Sequence, residues 1–275
     1  MVFRGLLHLS LSVLLTVVTQ IGGVAYVIVL IFKQFIPAIN KSKFRYNFLL
    51  FILCYSVLWG GSFLIAPQFG RVAIPCFSDQ TEKIVVQSPF YCVLNRHYVS
   101  PKLLEVGNAL AANIDAQFPG TQTLALDANF PFFDKFPLLP HLSHDDGRKL
   151  DIAFYYRNEK NEYVVGKTKS PIGYWGFEQP TDDDGQLCSN KDHNLNLRWD
   201  MDWFQFFNKH QYHLDQERTS AALQWLVKQG QSYKVSKVFV EPYLAKRLGV
   251  SNKIIRFQGC KAARHDDHIH LQVID

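Results

Sequence analysis

Three histidines and two aspartates lie within the six residues His265–His270. The residues that follow read as a β-strand, in which successive side chains point to opposite faces. His268 and His270 would then share one face, while Ile269 and the apolar residues after it would face a core. A strand with histidines on one face and apolar residues on the other is typical of a metal-binding or catalytic site. Two surface histidines on an edge strand are the alternative for an isolated His-x-His pair.

A second cluster of the same residue types lies earlier in the chain. His144 is followed by Gly147, which permits a sharp turn, and by Asp151 at the start of the apolar stretch 152–156. With His270, these side chains would supply nitrogen, oxygen and nitrogen ligands. Catalytic zinc usually has three protein ligands and a fourth position for water, whose pKa it lowers. The sequence therefore predicts a zinc site formed by His144, Asp151 and His270.

A catalytic site of this kind also needs a group that accepts a proton. His268 lies two residues from the expected ligand His270 on the same face, where it could receive the proton of the water or stabilise an oxyanion. His265 lies just before the strand and could assist. Asp267 is the second choice, since regular pleating turns it to the opposite face and only a bulge would bring it back.

Two stretches, Ser143–Asp151 and His265–His270, together resemble the penicillin-insensitive murein endopeptidases. These enzymes belong to the wider lysostaphin and D-alanyl-D-alanine metallopeptidase group. The shared pattern is a histidine, an aspartate seven residues later and a late His-x-His strand. The resemblance covers roughly residues 94–275 and extends to Val235–Pro242, which is similar to the family's strand and following helix.

The resemblance implies zinc held by the three ligands named above, with His268 as the catalytic histidine and His265 supporting it. His141 occupies the place of a family histidine that precedes the first ligand by three residues. It also implies hydrolysis of peptide cross-links in peptidoglycan. The alternative function is a non-catalytic, anchored module that binds or regulates the cell wall. The complete ligand set and His268 favour the enzyme, because a module without activity needs no base.

Long apolar runs occupy the first part of the chain, at Leu6–Phe32 and Tyr46–Ile65. A bilayer core needs roughly 20 apolar residues as helix, so both runs predict transmembrane helices. A cleaved signal peptide is the alternative for the first run, but the run is too long and has no small-x-small site. The stretch Lys33–Asn47 carries four basic residues and no acidic one, which indicates a cytoplasmic loop. Both chain ends, and the C-terminal domain, would then lie in the periplasm, anchored to the inner membrane.

The 275 residues divide into three expected parts: a membrane anchor at 1–66, a linker at 67–93 and a zinc metallopeptidase-like domain at 94–275. The net charge is +5, but no basic stripe alternates with aromatic residues, which argues against nucleic acid as a partner. Peptidoglycan or its peptide precursors are the expected partners.

Helical and strand patterns mix along the third part without a βαβ rhythm, which predicts an α+β fold with a small antiparallel sheet and flanking helices. The expected helices are 101–118, 199–229 and 242–248, and the expected strands are 121–127, 150–156, 235–240, 253–257 and 267–274.

Four cysteines lie outside the apolar runs, an even number that suits a compartment in which disulfides persist. Cys76 with Cys92 and Cys188 with Cys260 is the preferred pairing among three, and free buried thiols are the alternative. The aromatic group 174–177 has two equally weighted interpretations: it lines a substrate cleft, or it forms a small core under a long loop.

Overall fold

The computed structural model describes residues 2–35, 44–77, 83–181, 184, 211–260 and 262–274. Within these ranges the chain forms seven α-helices, a short 3-10 helix at Ala66–Phe69 and ten strands. The helices are α1 Val2–Thr19, α2 Gly22–Phe35, α3 Phe44–Ile65, α4 Pro89–Val93, α5 Pro101–Gln117, α6 Gln216–Lys228 and α7 Pro242–Arg247. The strands are β1 Val72–Ala73, β2 Ile84–Val86, β3 Tyr98–Val99, β4 Thr123–Ala125, β5 Lys149–Ala153, β6 Tyr156–Arg157, β7 His213–Leu214, β8 Val235–Phe239, β9 Ile255–Arg256 and β10 His268–Val273.

The main sheet has six strands in the order β2-β4-β5-β10-β8-β9. Its centre, from β4 to β8, is antiparallel, but β2 pairs with β4 and β8 pairs with β9 in parallel. The α+β class is confirmed, and the expectation of a purely antiparallel sheet is wrong. Each parallel pair is joined by a crossover that contains a helix, as parallel strands require. The sheet also begins earlier than expected, because β2 lies within the range 67–93 assigned to a linker.

The register of the two central strands positions the predicted site. His270 lies opposite Asp151, and Ile269 lies opposite Ile152, in the antiparallel pair β10–β5. Residues directly opposite each other share a face, so His270 and Asp151 point to the same side of the sheet. Ile269 and Ile152 are fully buried on the other side. The predicted division of β10 into a histidine face and a core face is confirmed.

Two helices cover the apolar face of the sheet. The helix expected at 101–118 is confirmed as α5, which begins at Pro101 because Ser100 accepts a hydrogen bond from the backbone N–H of Leu103. Its buried residues recur at helical spacing, and they are Leu103, Val106, Gly107, Leu110, Ala111 and Ile114. Helix α6 contacts α5 and begins at the N-cap Asp215. Of the rest of the helix expected at 199–229, residues 199–210 lie outside the described residues, and His213–Leu214 form the strand β7, so the prediction of helix is wrong there.

The first apolar run is not one continuous helix, which corrects the expectation of two transmembrane helices. It is divided into α1 and α2 at Gln20, whose φ of 67° is left-handed. Thr19 ends the first helix and accepts a hydrogen bond from the N–H of Gly22 at 2.8 Å. Only the segment Phe44–Phe69 is long and apolar enough to cross a membrane among the described residues, by length and composition. This single segment indicates membrane association.

Helices α1 and α2 pack against each other as an antiparallel hairpin. The ring of His8 lies 2.7 Å from the hydroxyl of Tyr26, and a side chain on Gly23 would meet Thr16 Oγ1 at 1.9 Å. The glycine therefore allows the two backbones to approach closely. Because this run turns back on itself, it does not supply the first of the two spans that would place both chain ends on one side of a membrane.

Cys76 and Cys92 form a disulfide, as the preferred pairing predicted. Cys260 is also disulfide-bonded, and Cys188, its expected partner, lies outside the described residues.

Gly23→Ala should destabilise the hairpin, because the added methyl group would overlap Thr16 Oγ1 and the carbonyl oxygen of Ser12. We expect a loss of about 1–3 kcal/mol in the free energy of unfolding, measured by denaturation of the full chain in detergent. Gly61→Ala is the matched control, since a side chain there meets nothing within 4 Å. Equal effects of the two substitutions would contradict the close packing of α1 on α2.

Candidate metal centre

The three predicted ligands converge. His270 Nδ1 lies 2.8 Å from Asp151 Oδ1, and His144 Nε2 lies 3.1 Å from His270 Nδ1 and 3.4 Å from Asp151 Oδ1. All three residues are buried, and each directs one donor atom to the same point. The sheet register brings Asp151 and His270 together, and the loop before β5 adds His144.

These distances fit a zinc ion. Bonds of about 2.0–2.2 Å in a tetrahedral arrangement separate donor atoms by about 3.4 Å. The three observed separations of 2.8, 3.1 and 3.4 Å equal that value or are shorter by up to about 0.6 Å, so side-chain movements of less than an ångström suffice. Two imidazoles and one carboxylate are also a donor set that catalytic zinc accepts. His144, Asp151 and His270 can therefore hold a metal ion.

Hydrogen bonds to neighbouring groups orient both histidine ligands. His144 Nδ1 donates to the carbonyl oxygen of Ala128 at 2.7 Å, which leaves the lone pair of Nε2 directed at Asp151. The turn after His144 depends on Gly147, whose φ is 78° and whose N–H donates to the side chain of Asn129 at 2.9 Å. The turn predicted at this glycine is confirmed.

The second histidine ligand is oriented within its own strand. The side-chain amide of Gln272 lies 2.9 Å from His270 Nε2, on the far side of the ring from Asp151. This contact leaves Nδ1 of His270 as the nitrogen that faces the ligand cluster.

Asp151 is an ionised carboxylate at the centre of the cluster. Burial would raise its pKa, but the charges of His144, His268 and His270 outweigh burial and hold the pKa well below the ordinary value. Its second oxygen, Oδ2, accepts a hydrogen bond from the hydroxyl of Tyr174 at 2.6 Å. Asp151 therefore offers Oδ1 to a cation while Tyr174 fixes the other oxygen.

His268 lies beside the ligand cluster rather than in it. Its Nε2 is 3.7 Å from Asp151 Oδ2, and its Nδ1 is 2.5 Å from Asp267 Oδ1. Burial lowers the pKa of His268, but Asp151 and Asp267 outweigh burial and raise it to about 9. The other oxygen of Asp267 accepts the backbone N–H of Trp175 at 2.6 Å. Asp267, the second choice for the base, is thus engaged in orienting His268.

His265 lies next to both histidines of β10. Its ring centroid is 5.0 Å from that of His268 and 5.5 Å from that of His270. Burial and the charges of these neighbours hold the pKa of His265 well below its ordinary value, so the ring is neutral. Its Nδ1 is buried and has no hydrogen-bond partner in the described part of the chain. The backbone of His265 is held by two hydrogen bonds with Glu241.

Sequence reasoning missed a second, buried layer of charge beneath His141. His141 Nδ1 lies 2.7 Å from Asp127 Oδ2, and Arg96 contacts both oxygens of Asp127 at 2.5 and 2.6 Å. Burial would raise the pKa of Asp127, but Arg96 and His141 lower it to about 2. The sequence signal that could have identified this layer was Asp127, two residues after the strand 123–125, in a stretch without other charged residues. The layer fixes His141 beside Tyr174, with ring centroids 4.8 Å apart.

The ligand cluster opens into a cleft of about 620 Å³. Its walls include the aromatic side chains of Tyr174, Trp175 and Phe177, together with Arg96 and Arg264. Of the two interpretations of 174–177, the structure favours the cleft, although Tyr174 also packs against the core.

A second group of metal-ligand type comprises Cys76, Cys92 and His97. The two sulfurs are joined in a disulfide, which removes the thiolates that a metal would need. Among the residues that the structure describes, the cluster around Asp151 is therefore the better candidate for metal.

No protein-family model matches the chain, and a search of curated proteins returns no significant match.

Asp151→Asn should abolish tight zinc binding, because it removes the only anionic ligand and the charge that stabilises the bound cation. Substitution of a residue outside the ligand set typically lowers metal affinity by roughly 10–100-fold. We expect a larger fall in the zinc affinity of Asp151→Asn, measured by competition with a chromophoric chelator. His213→Ala is the control, since His213 is exposed on β7. Full zinc content in Asp151→Asn would show that this cluster is not the metal site.

Proposed function

We propose that this protein is a membrane-anchored, zinc-dependent peptidase that hydrolyses amide bonds in peptidoglycan peptides or cross-links. The observation that supports the proposal most directly is the convergence of His144, Asp151 and His270, with His268 beside them in a cleft. It agrees with the resemblance of the two His/Asp motifs to the murein endopeptidases.

Zinc, when bound, would act as a Lewis acid and lower the pKa of a water molecule towards neutrality. His144, Asp151 and His270 would hold it. His268 Nε2 faces the same space, and we assign it the role of donating a proton and stabilising an oxyanion, which suits a ring whose pKa is raised. Asp267 keeps the ring of His268 in place through Nδ1.

The remaining residues of the site have supporting roles. His265 is neutral and buried against His268, so it limits the movement of that ring. Tyr174 is fixed to Asp151 and forms part of the cleft wall.

The proposed location is the inner membrane, with the catalytic domain in the periplasm. The segment Phe44–Phe69 provides one candidate span, and the disulfide Cys76–Cys92 suits an oxidising compartment. Basic residues at the end of α2 and the start of α3, Lys33 and Arg45, favour the cytoplasmic side for that end of the helices. A domain on the opposite side would meet peptidoglycan or its precursors.

The full-length protein, purified in detergent and loaded with zinc, should convert cross-linked muropeptide dimers to smaller products. A chelator should stop the reaction, and added zinc should restore it, because the ligand cluster opens into the cleft. Product analysis by mass spectrometry identifies the bond. Tight zinc binding without cleavage would favour the non-catalytic wall-binding module instead.

His268→Ala should lower kcat by roughly 10²–10⁴-fold, because the substitution removes the group that transfers the proton. Zinc content should be unchanged, since His268 is not among the three ligands. His213→Ala again serves as the control for loss of a histidine. Normal turnover by His268→Ala would remove His268 from the mechanism, and loss of zinc would make it a ligand.

A further inference from the structure

The cleft extends from the ligand cluster to the apolar helices of the first part of the chain. Val18, near the end of α1, lines the same cavity as His144, Asp151, His268 and His270. The turn after α1 is fixed to the domain, since the N–H of Phe132 donates to Gln20 Oε1 at 3.0 Å. One wall of the candidate active site is thus contributed by the apolar hairpin.

The domain also lies along α3 rather than beyond its end. Trp59 Nε1 donates to the carbonyl oxygen of Cys92 at 2.7 Å, and the hydroxyl of Tyr55 donates to the carbonyl oxygen of Val93. About 15 Å of helix separates Tyr55 from Ile65, where α3 ends, at 1.5 Å per residue. Helix α4 is therefore positioned beside the segment that can cross a membrane, within its length.

Large apolar side chains are exposed where α4 and a neighbouring loop border the cleft. Phe90 is 48% exposed, Leu139 is 47% exposed and Leu142 is 59% exposed, and all three line the cavity. Val93, which follows Phe90 on the same helix α4, is 56% exposed. Contiguous apolar exposure of this kind marks a surface that contacts a membrane or an apolar ligand. Its continuity with α1 and α3 identifies the contact as lipid rather than another protein.

The geometry points to a substrate that enters from the membrane: a peptide carried on a long apolar chain. The chain lies between Val18, Phe90 and Leu142, and the scissile amide reaches the cluster at His268. This inference rests on the proposed amide hydrolysis. The reaction consumes one water, breaks the C–N bond and yields a carboxylic acid and an amine, one of which keeps the apolar chain.

The test compares one peptide with and without a covalently attached acyl chain. Both are incubated with the full-length, zinc-loaded protein reconstituted in phosphatidylcholine vesicles. We expect a KM at least about tenfold lower for the acylated peptide, from the burial of its apolar chain. An acylated peptide concentrates in the membrane, so any membrane-bound enzyme would show a lower KM for it. A variant and a binding measurement are therefore needed to locate the acyl chain in the cleft.

Leu142→Ser should raise the KM for the acylated peptide by roughly tenfold, since it removes an apolar wall of the cleft. Because Leu142 is 59% exposed, the substitution should leave the folded structure intact. Val165→Ser is the matched control, because Val165 is 56% exposed and does not line the cavity. An unchanged KM in Leu142→Ser would count against the inferred chain site.

A diazirine on the acyl chain gives a measurement that needs neither zinc nor turnover. Photo-cross-links mapped by mass spectrometry should fall on Phe90 and Leu142 in the zinc-free and zinc-loaded protein alike. Cross-links confined to the outer face of α3 would overturn the inference. In that case chelator-sensitive hydrolysis of the unacylated peptide would leave the proposed peptidase intact. Cross-links in the cleft without hydrolysis of either peptide would retain the chain site and remove the peptidase.

Discussion

The buried carboxylate of Asp151 is the constraint on which the site depends. A carboxylate taken out of water without compensation costs several kcal/mol, roughly 3–5 when a buried partner is lost. Here Tyr174 donates to one oxygen, and the nitrogens of His144 and His270 surround the other. Two neutral imidazoles with lone pairs towards Oδ1 would repel it, so the arrangement is stable only with a proton or a metal cation between them. A metal cation bound by the three side chains would meet this requirement, and so would a proton.

The fold meets this requirement through strand register and a single tight loop. Pairing of β5 with β10 places Asp151 opposite His270, and a slip of one strand by one residue would turn one of the two side chains to the core. The buried side chains of Ile152 and Ile269 prevent that shift from the opposite face. The loop that ends at Gly147 then brings His144 to the cluster. The same sheet that forms the core therefore sets the distances between the ligands.

Much of the site could be predicted because its signals are local. Alternation in β10 and the turn at Gly147 each depend on a few neighbouring residues. Tyr174 and Asp127 depend on contacts between distant parts of the chain, which one sequence does not display. The role of Asp267 depends on a contact with the adjacent ring of His268, which regular pleating did not predict. The sequence signals the division of the first apolar run at Thr19, Gly22 and Gly23. The prediction of one continuous helix instead relied on the total length of the run. The parallel pairing at the two sheet edges was not predicted. Helices α5 and α7 were predicted within the two crossovers, but the strands that each crossover joins were not predicted to pair.

X-ray absorption at the zinc edge of the zinc-loaded, full-length protein distinguishes the cluster around Asp151 from any other metal site. We expect a first shell of nitrogen and oxygen only, at about 2.0–2.1 Å, with the outer scattering of two imidazoles. The outer signal should fall to one imidazole in His144→Ala. A sulfur shell at about 2.3 Å, or a shell without imidazole, would show that His144, Asp151 and His270 do not hold the metal.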